Sequence, residues 1–283
     1  MFSLMLENEN GAIIDLNDNI NYVVYHVSGL TPPAASLFTA KSPNRKGLKY
    51  NGSTLNERNM IISVKILGDV ENNRNNLYNW TDSEQYCKVH YANGLKNVFC
   101  EGYVTECPCD PFTNNETMDI VILCTDPYWK GLQEINAEIA AILKQFVFPF
   151  SIDSAGVPFS TLRGLTEATV INTGAETGCA FIIRCNGDIK NLSIFDSSNT
   201  TKIFKINTTL KDGWIVEINT EGSPKTCTVT KPDGTVENLL KYIGSSPTWF
   251  TLKKGTNTFG YSAESGVNFV EMSIRYTNKY LGV

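Results

Sequence analysis

Histidine is nearly missing from this chain: only His26 and His90 occur in 283 residues. Each falls inside a segment whose alternation alone accounts for it, so both are expected to be structural rather than acid–base groups. No G-x-S-x-G, H-E-x-x-H, P-loop or dinucleotide fingerprint occurs. The common nucleophile, zinc and phosphate chemistries thus lack their minimum parts, and neither enzymatic activity nor a cofactor is expected. Long apolar runs are missing too, none approaching the roughly 20 residues of a membrane-spanning helix. The opening MFSLMLENENG has neither a basic leader nor an apolar core of proper length. The expectation is a chain made and folded in the cytoplasm, not secreted by a signal peptide.

Charge is sparse, at 19% of residues, while Asn, Thr and Gly are plentiful, a composition that favours a turn-rich β protein. Basic charge is scarcest in the first half. Residues 1–147 hold 11 Lys and Arg against 17 Asp and Glu, whereas the remainder holds 13 against 12. Gripping nucleic acid needs clustered Lys and Arg to displace counterions from phosphates, so an acidic half argues against it. It suits a surface past which DNA slides without sticking.

Eight cysteines without a secretion signal read as reduced thiols. Cys107-Pro108-Cys109, with Cys87, Cys100 and Cys124 nearby, invites comparison with a thiolate zinc site. Structural zinc sites usually pair cysteines about two to four residues apart in tight turns, and a C-x-C in an extended segment chelates poorly. Small buried or half-buried thiols are expected instead, and no metal. Asp110-Pro111-Phe112 and Asp126-Pro127-Tyr128 offer two carboxylates, the minimum for glycoside hydrolysis. Turn punctuation at the two ends of one strand is the simpler account.

That strand, Thr117 to Cys124, is the clearest element. Met118, Ile120 and Ile122 fall on one face and Asp119, Val121 and Leu123 on the other. Asp126-Pro127 ends it. Beyond, Leu132, Ile135, Ile139, Ile142, Leu143 and Phe146 form a stripe at helical spacing closed by Pro149, so a linking helix is predicted over 131–147. Upstream, alternating runs predict strands near 3–6, 12–16, 22–27 and 59–68, with a proline-bearing loop over 29–46. Asp69 caps a short helix carrying Leu77 and Trp80. Asn93-Gly94, between KVHYA and LKNVFCEGYV, signals a hairpin with a type I′ turn. After residue 160 short strands recur at 8 to 12 residue spacing, broken by turns such as Lys231-Pro232-Asp233-Gly234. The overall class is mainly β: an N-terminal β-barrel or sheet domain over 1–147 that includes the linking helix, then an antiparallel β-sandwich over 160–283.

Four tryptophans raise the question of a sugar-stacking platform, since aromatic faces pack on pyranose rings. Trp214 alternates with Val216 and Ile218 and reads as core. Trp249 beside Phe250 is the candidate platform, and Gly255 to Ser262, GTNTFGYS, has the pattern of sugar-binding sandwich modules.

Several segments together resemble the distal tail protein family of long-tailed bacteriophages, which also occurs in phage-tail-like bacteriocins. They are Gly29-Leu30 with its Pro-rich loop, the 59–68 strand with its polar helix, CTDPYWKG, VINTGAETGCAFIIRCNGDIKNLSIFD, LKDGWIVEINT, LKKGTNTFGYSAESG and VNFVEMSIRYTNKYLGV. The resemblance covers most of the chain. It implies a virion structural protein of the tail tip or baseplate, assembled in the bacterial host. The N-terminal domain would form a homohexameric ring under the tail tube protein, with DNA passing through the channel. Its galectin-like or carbohydrate-module-like C-terminal sandwich would carry a receptor-binding protein, with a tail-tip hub or tail-associated lysin protein below. A closed ring needs head-to-tail contacts. The Lys88 to Val104 hairpin, with Tyr91, Asn93, Gly94 and Lys96, and the 29–46 loop are the candidates. The rival reading is a carbohydrate-binding adhesion module without catalysis, working through Trp249 and Phe250.

Overall fold

The computed structural model describes residues 2–42, 46–111, 113, 115–138, 142–144, 160–162 and 167–283. The chain divides into two compact units, Met1–Leu132 with Lys279–Val283, and Gln133–Asn278.

In the first unit, antiparallel strands pair in the order Ile13–Asp15, Ser3–Asn8, Tyr86–Ala92, Asn97–Glu106, Thr117–Cys124, Arg58–Ile66, Tyr22–Ser28. Alternation decides which side chains go inward. Leu4 and Leu6, Met60, Ile62 and Val64, Val98, Cys100 and Val104, and Met118, Ile120, Ile122 and Cys124 all meet in one core. The predicted helix is present as Val70–Trp80, with the Asp69 carboxylate accepting from Asn72 N at 3.4 Å and Leu77 fully buried in the same core. Where Asn97–Glu106 crosses Thr117–Cys124, a Cβ on Gly102 would lie 2.7 Å from Ile122 Cγ2. Only glycine lets the two strands approach this closely.

The outer face of this sheet is polar and tied together across strands. Glu7 accepts from Lys88 at 3.0 Å and meets His90 Nε2 at 2.6 Å, and Glu101 accepts from Tyr86 at 2.9 Å and Lys130 at 2.6 Å. His90 has the structural place that its alternation predicts. His26 lies exposed on Tyr22–Ser28 beside a register shift.

The linking helix is a correction. Trp129–Glu138 is a strand, whose start pairs with Asn97–Glu106 through Lys130↔Phe99 and Gly131↔Val98. Ile142–Lys144 is extended as well, pairing with Ser160–Leu162; the rest of 139–147 lies outside the described residues. The spacing of Leu132 and Ile135 fits a helix, but Ile135 and Ala137, two apart, are the side chains that pack on the core of the second unit, while Glu134, Asn136 and Glu138 stay exposed. A sheet partner settles a pattern that periodicity leaves open. The Asn93-Gly94 hairpin forms, yet neither residue has a positive φ. The turn is a wider loop in which Asn93 Oδ1 accepts from Leu95 N at 2.9 Å and Lys96 N at 2.7 Å, an Asx turn in place of type I′.

The second unit is an antiparallel sandwich. One sheet pairs Val270–Tyr280, Ala180–Cys185, Ile215–Asn219, Thr226–Thr230 and Val236–Asn238, and the other Glu167–Asn172, Gly255–Ser262, Ser193–Asp196 and Asn199–Lys205. Phe181, Val216 and Ile274 from the first meet Val170, Phe204 and Phe259 from the second in one core. Trp214 packs at its margin. The segment near 248–252 forms no strand, only a Thr177↔Leu252 bridge.

Candidate functional site

Within the loop predicted over 29–46 begins an antiparallel hairpin that the sequence pattern did not reveal. Ala35–Ala40 pairs with Lys49–Leu55 from Ala35↔Leu55 to Ala40↔Lys49. Four of its apolar residues are more than half open to solvent among the described residues: Leu37 is 63% exposed, Phe38 54%, Leu48 61% and Tyr50 62%. An isolated two-stranded ribbon is marginal in water, and bare apolar residues on one mark a contact surface.

The base of this arm is held firmly. Asn56 N donates to Ala34 O at 3.0 Å, and Ser36 Oγ donates to Asn56 Oδ1 at 2.7 Å. Behind it Arg58, only 1% exposed, gives its N–H groups to a set of backbone carbonyls. It donates to Pro127 O through Nε at 2.9 Å and Nη2 at 2.7 Å, to Leu281 O at 2.7 Å, to Thr31 O at 2.8 Å and to Gly29 O. Its guanidinium lies 5.4 Å from the Trp129 ring centre. Gly29, at φ +84°, has no room for a side chain, since a Cβ would sit 2.5 Å from Asn59 O. The arm thus springs from a rigid anchor. No pattern in the sequence singles out Arg58, because a basic residue opening a strand reads as surface.

The predicted contact residues of the second hairpin are placed differently from one another. Lys96 Nζ donates to Gly282 O at 2.6 Å and lies 4.9 Å from the Tyr280 ring centre. Tyr91 stacks on Phe2 at 6.2 Å and, with Phe2, Tyr25 and Leu30, lines an apolar groove of about 240 Å³. Asn93 is spent on its own turn. A Cβ added at Gly94 would meet nothing within 4 Å among the described residues, and Leu95 beside it is 95% exposed.

All eight cysteines are free thiols, and among the described residues no His, Cys, Asp and Glu cluster is arranged to hold a metal. Burial pushes Cys87, Cys179, Cys185 and Cys227 up to about 12, which keeps them protonated. Cys107 donates to Thr81 O at 3.2 Å, a helix-end carbonyl rather than a metal. Asp126 Oδ1 accepts from Tyr128 N at 3.3 Å, as turn punctuation requires.

Trp249 and Phe250 do not form a joint platform. Phe250, 5% exposed, packs on Phe181 at 6.0 Å and Phe259 at 5.4 Å inside the core. Trp249 stands half-buried, edge-on to Phe204 at 5.0 Å, in the wall of a groove of about 460 Å³.

Residues 172–280 match the family model described as siphovirus-type tail component, C-terminal domain, a span that holds most of each C-terminal segment named above. Over that span the chain is similar to a phage tail component domain. Comparison with curated protein sequences returns no match. Among solved structures, SPP1 Dit is similar over 99% of both chains with a TM-score of 0.69 at 14% identity. A chain of the phage P2 baseplate in its calcium-activated conformation is similar over 100% of both, with a TM-score of 0.52 at 10% identity. At these identities the likeness is one of fold, and it extends over both units of the chain.

Proposed function

We propose that this chain is a hub protein of a phage tail tip or baseplate, closing as a homohexamer between the tail tube and the tip proteins and anchoring peripheral receptor-binding proteins. Supporting it is the tail component match, together with the SPP1 protein being described as a paradigm of the hub adsorption apparatus in phages infecting Gram-positive hosts. The observation that carries the ring itself is the Ala35–Leu55 arm. A firmly anchored ribbon whose apolar side chains stay exposed among the described residues suits a head-to-tail contact with the next copy, and head-to-tail contacts generate rings when their rotation closes. The acidic N-terminal half fits a channel through which DNA passes without adhering. The loop at Gly94-Leu95 and the groove at Tyr91 supply a second patch for the same contact.

Light scattering of the purified protein tests this. The parent is expected at sixfold mass, and a Leu37→Ser, Phe38→Ser, Tyr50→Ser variant at lower mass with unchanged circular dichroism. Each of these side chains, if covered by a neighbour, contributes about 1.5–3 kcal/mol to that contact. A parent that stays monomeric at all concentrations, alone and with tail tube protein, would refute the ring. Scrambling residues 91–96 separates the roles of the two hairpins.

A further inference from the structure

The groove beside Trp249 has a chemistry that tail assembly leaves unused. Lys202, Lys253 and Lys254 line it, and none of the three ammonium groups meets a carboxylate among the described residues. The one acidic group in the lining, Asp196, is occupied by Ser198, whose N and Oγ donate to it at 2.9 and 2.6 Å. A fourth ammonium, that of Lys225, lies 5.9 Å from the Trp249 ring centre. Unpaired cations gathered in one concavity, in a protein of net charge −5, form a local anion trap.

The rest of the lining suits a polyhydroxylated chain. Thr256 and Thr258, from the GTNTFGYS strand, bring hydroxyl groups to the groove. Asn257 is spent on the adjoining turn rather than offered to a ligand, its Oδ1 accepting from Lys253 N at 2.9 Å and its Nδ2 donating to Lys253 O at 2.8 Å and Gly255 O at 3.1 Å, which fixes the backbone that carries Lys253. Trp249 is held in one orientation by Phe204, so an aromatic wall is present before any ligand arrives. Lysine acts as a point charge for phosphate or carboxylate without demanding bidentate geometry, which fits anions spaced along a flexible polymer. An acidic peptide would use the lysines but has no need of the aromatic wall.

We propose that this groove binds an anionic glycan, a saccharide or polyol chain bearing phosphate or carboxylate groups. The test is calorimetric titration of the full chain with linear poly(glycerol phosphate), polygalacturonate, neutral dextran and poly-glutamate, at low and high salt. One or both anionic glycans should bind, dextran should not, and high salt should weaken the binding; which polymer binds distinguishes a phosphate from a carboxylate source. Neutralising the cations with Lys202→Gln, Lys253→Gln and Lys254→Gln together should weaken it roughly tenfold or more, by the sum of modest exposed ion pairs. Trp249→Ala should weaken it as well. Because that change also removes packing on Phe204, the lysine variant, altered only in side chains at the groove, decides the matter alone. No binding by either anionic glycan, or equal binding by the lysine variant, overturns the proposal. So does poly-glutamate binding that is as tight and indifferent to Trp249→Ala, which would assign the groove to an acidic protein segment.

Discussion

Two antiparallel strand pairs in the N-terminal unit have opposite fates. Asn97–Glu106 with Thr117–Cys124 alternates buried and half-exposed residues, and Ile120, Ile122 and Cys124 lose all contact with water. Ala35–Ala40 with Lys49–Leu55 buries nothing, although it carries Leu37, Phe38 and Tyr50. Both are antiparallel ladders with one register shift, so pairing alone does not set them apart. The difference lies in whether a second layer covers one face, so the first pair stabilises the monomer while the second is available for contacts outside it.

The sharpest way to break this arrangement is at Arg58, where the covered sheet and the base of the arm meet. Arg58→Ala would strip donors from the carbonyls of Gly29, Thr31, Pro127 and Leu281 at once. A buried carbonyl left unpaired costs about 1–3 kcal/mol, and these four are only partly buried, so water replaces some of the lost donors. A total loss of about 4 kcal/mol is expected in urea unfolding, and a Lys at this position should recover only part of it, since an ammonium has three donors where guanidinium has five. A loss under about 1 kcal/mol would show that the anchor is dispensable.

Next in size is the direct comparison of the two pairs. Ile122→Ala leaves a cavity beneath fully buried neighbours and should cost about 2–5 kcal/mol. Leu37→Ala, the same kind of truncation in the arm, should change monomer stability by no more than about 0.5 kcal/mol. Assembly should respond in the opposite order, Leu37→Ala weakening the oligomer while Ile122→Ala, at temperatures where it stays folded, leaves it intact. Equal stability losses would mean the arm folds back on its own chain in solution.

This contrast also explains what could be read from the residues. Alternation is legible where one face is buried, and Met118 to Cys124 or Val270 to Tyr276 can be assigned inward side by side from the letters alone. Ser36-Leu37-Phe38-Thr39 has no such rhythm, because neither of its faces is buried among the described residues, and Pro32 and Pro33 beside it suggest a loop. Trp129–Glu138 misleads for another reason: Leu132, Ile135 and Ile139 satisfy a helical period by coincidence, and only the partner strand, distant in sequence, excludes the helix. The groove at Trp249 was half visible. Its tryptophan and the GTNTFGYS strand stand out in sequence, but Lys202, Lys253 and Lys254 come together only through the fold, and Phe250 is taken by the core.

The smallest effect concerns the polar outer face of the covered sheet, which the bare arm has no counterpart to. Hydrogen bonds from Lys88 and then His90 hold the Glu7 carboxyl below its ordinary value of 4.5. A carboxylate depressed in the folded state adds stability above the unfolded value and loses it as pH falls through the folded one. Acid unfolding below about pH 4.5 should therefore begin earlier in the parent than its pH 7 stability alone would suggest. Glu7→Gln should be less stable at pH 7 by about 0.5 kcal/mol, the scale of partly exposed pairs, and should show a flatter decline with acid. The two stability curves are expected to converge as acid protonates Glu7 below about pH 4.5; parallel curves across that window would mean that Glu7 contributes shape to the Ser3–Asn8 strand and nothing through its charge.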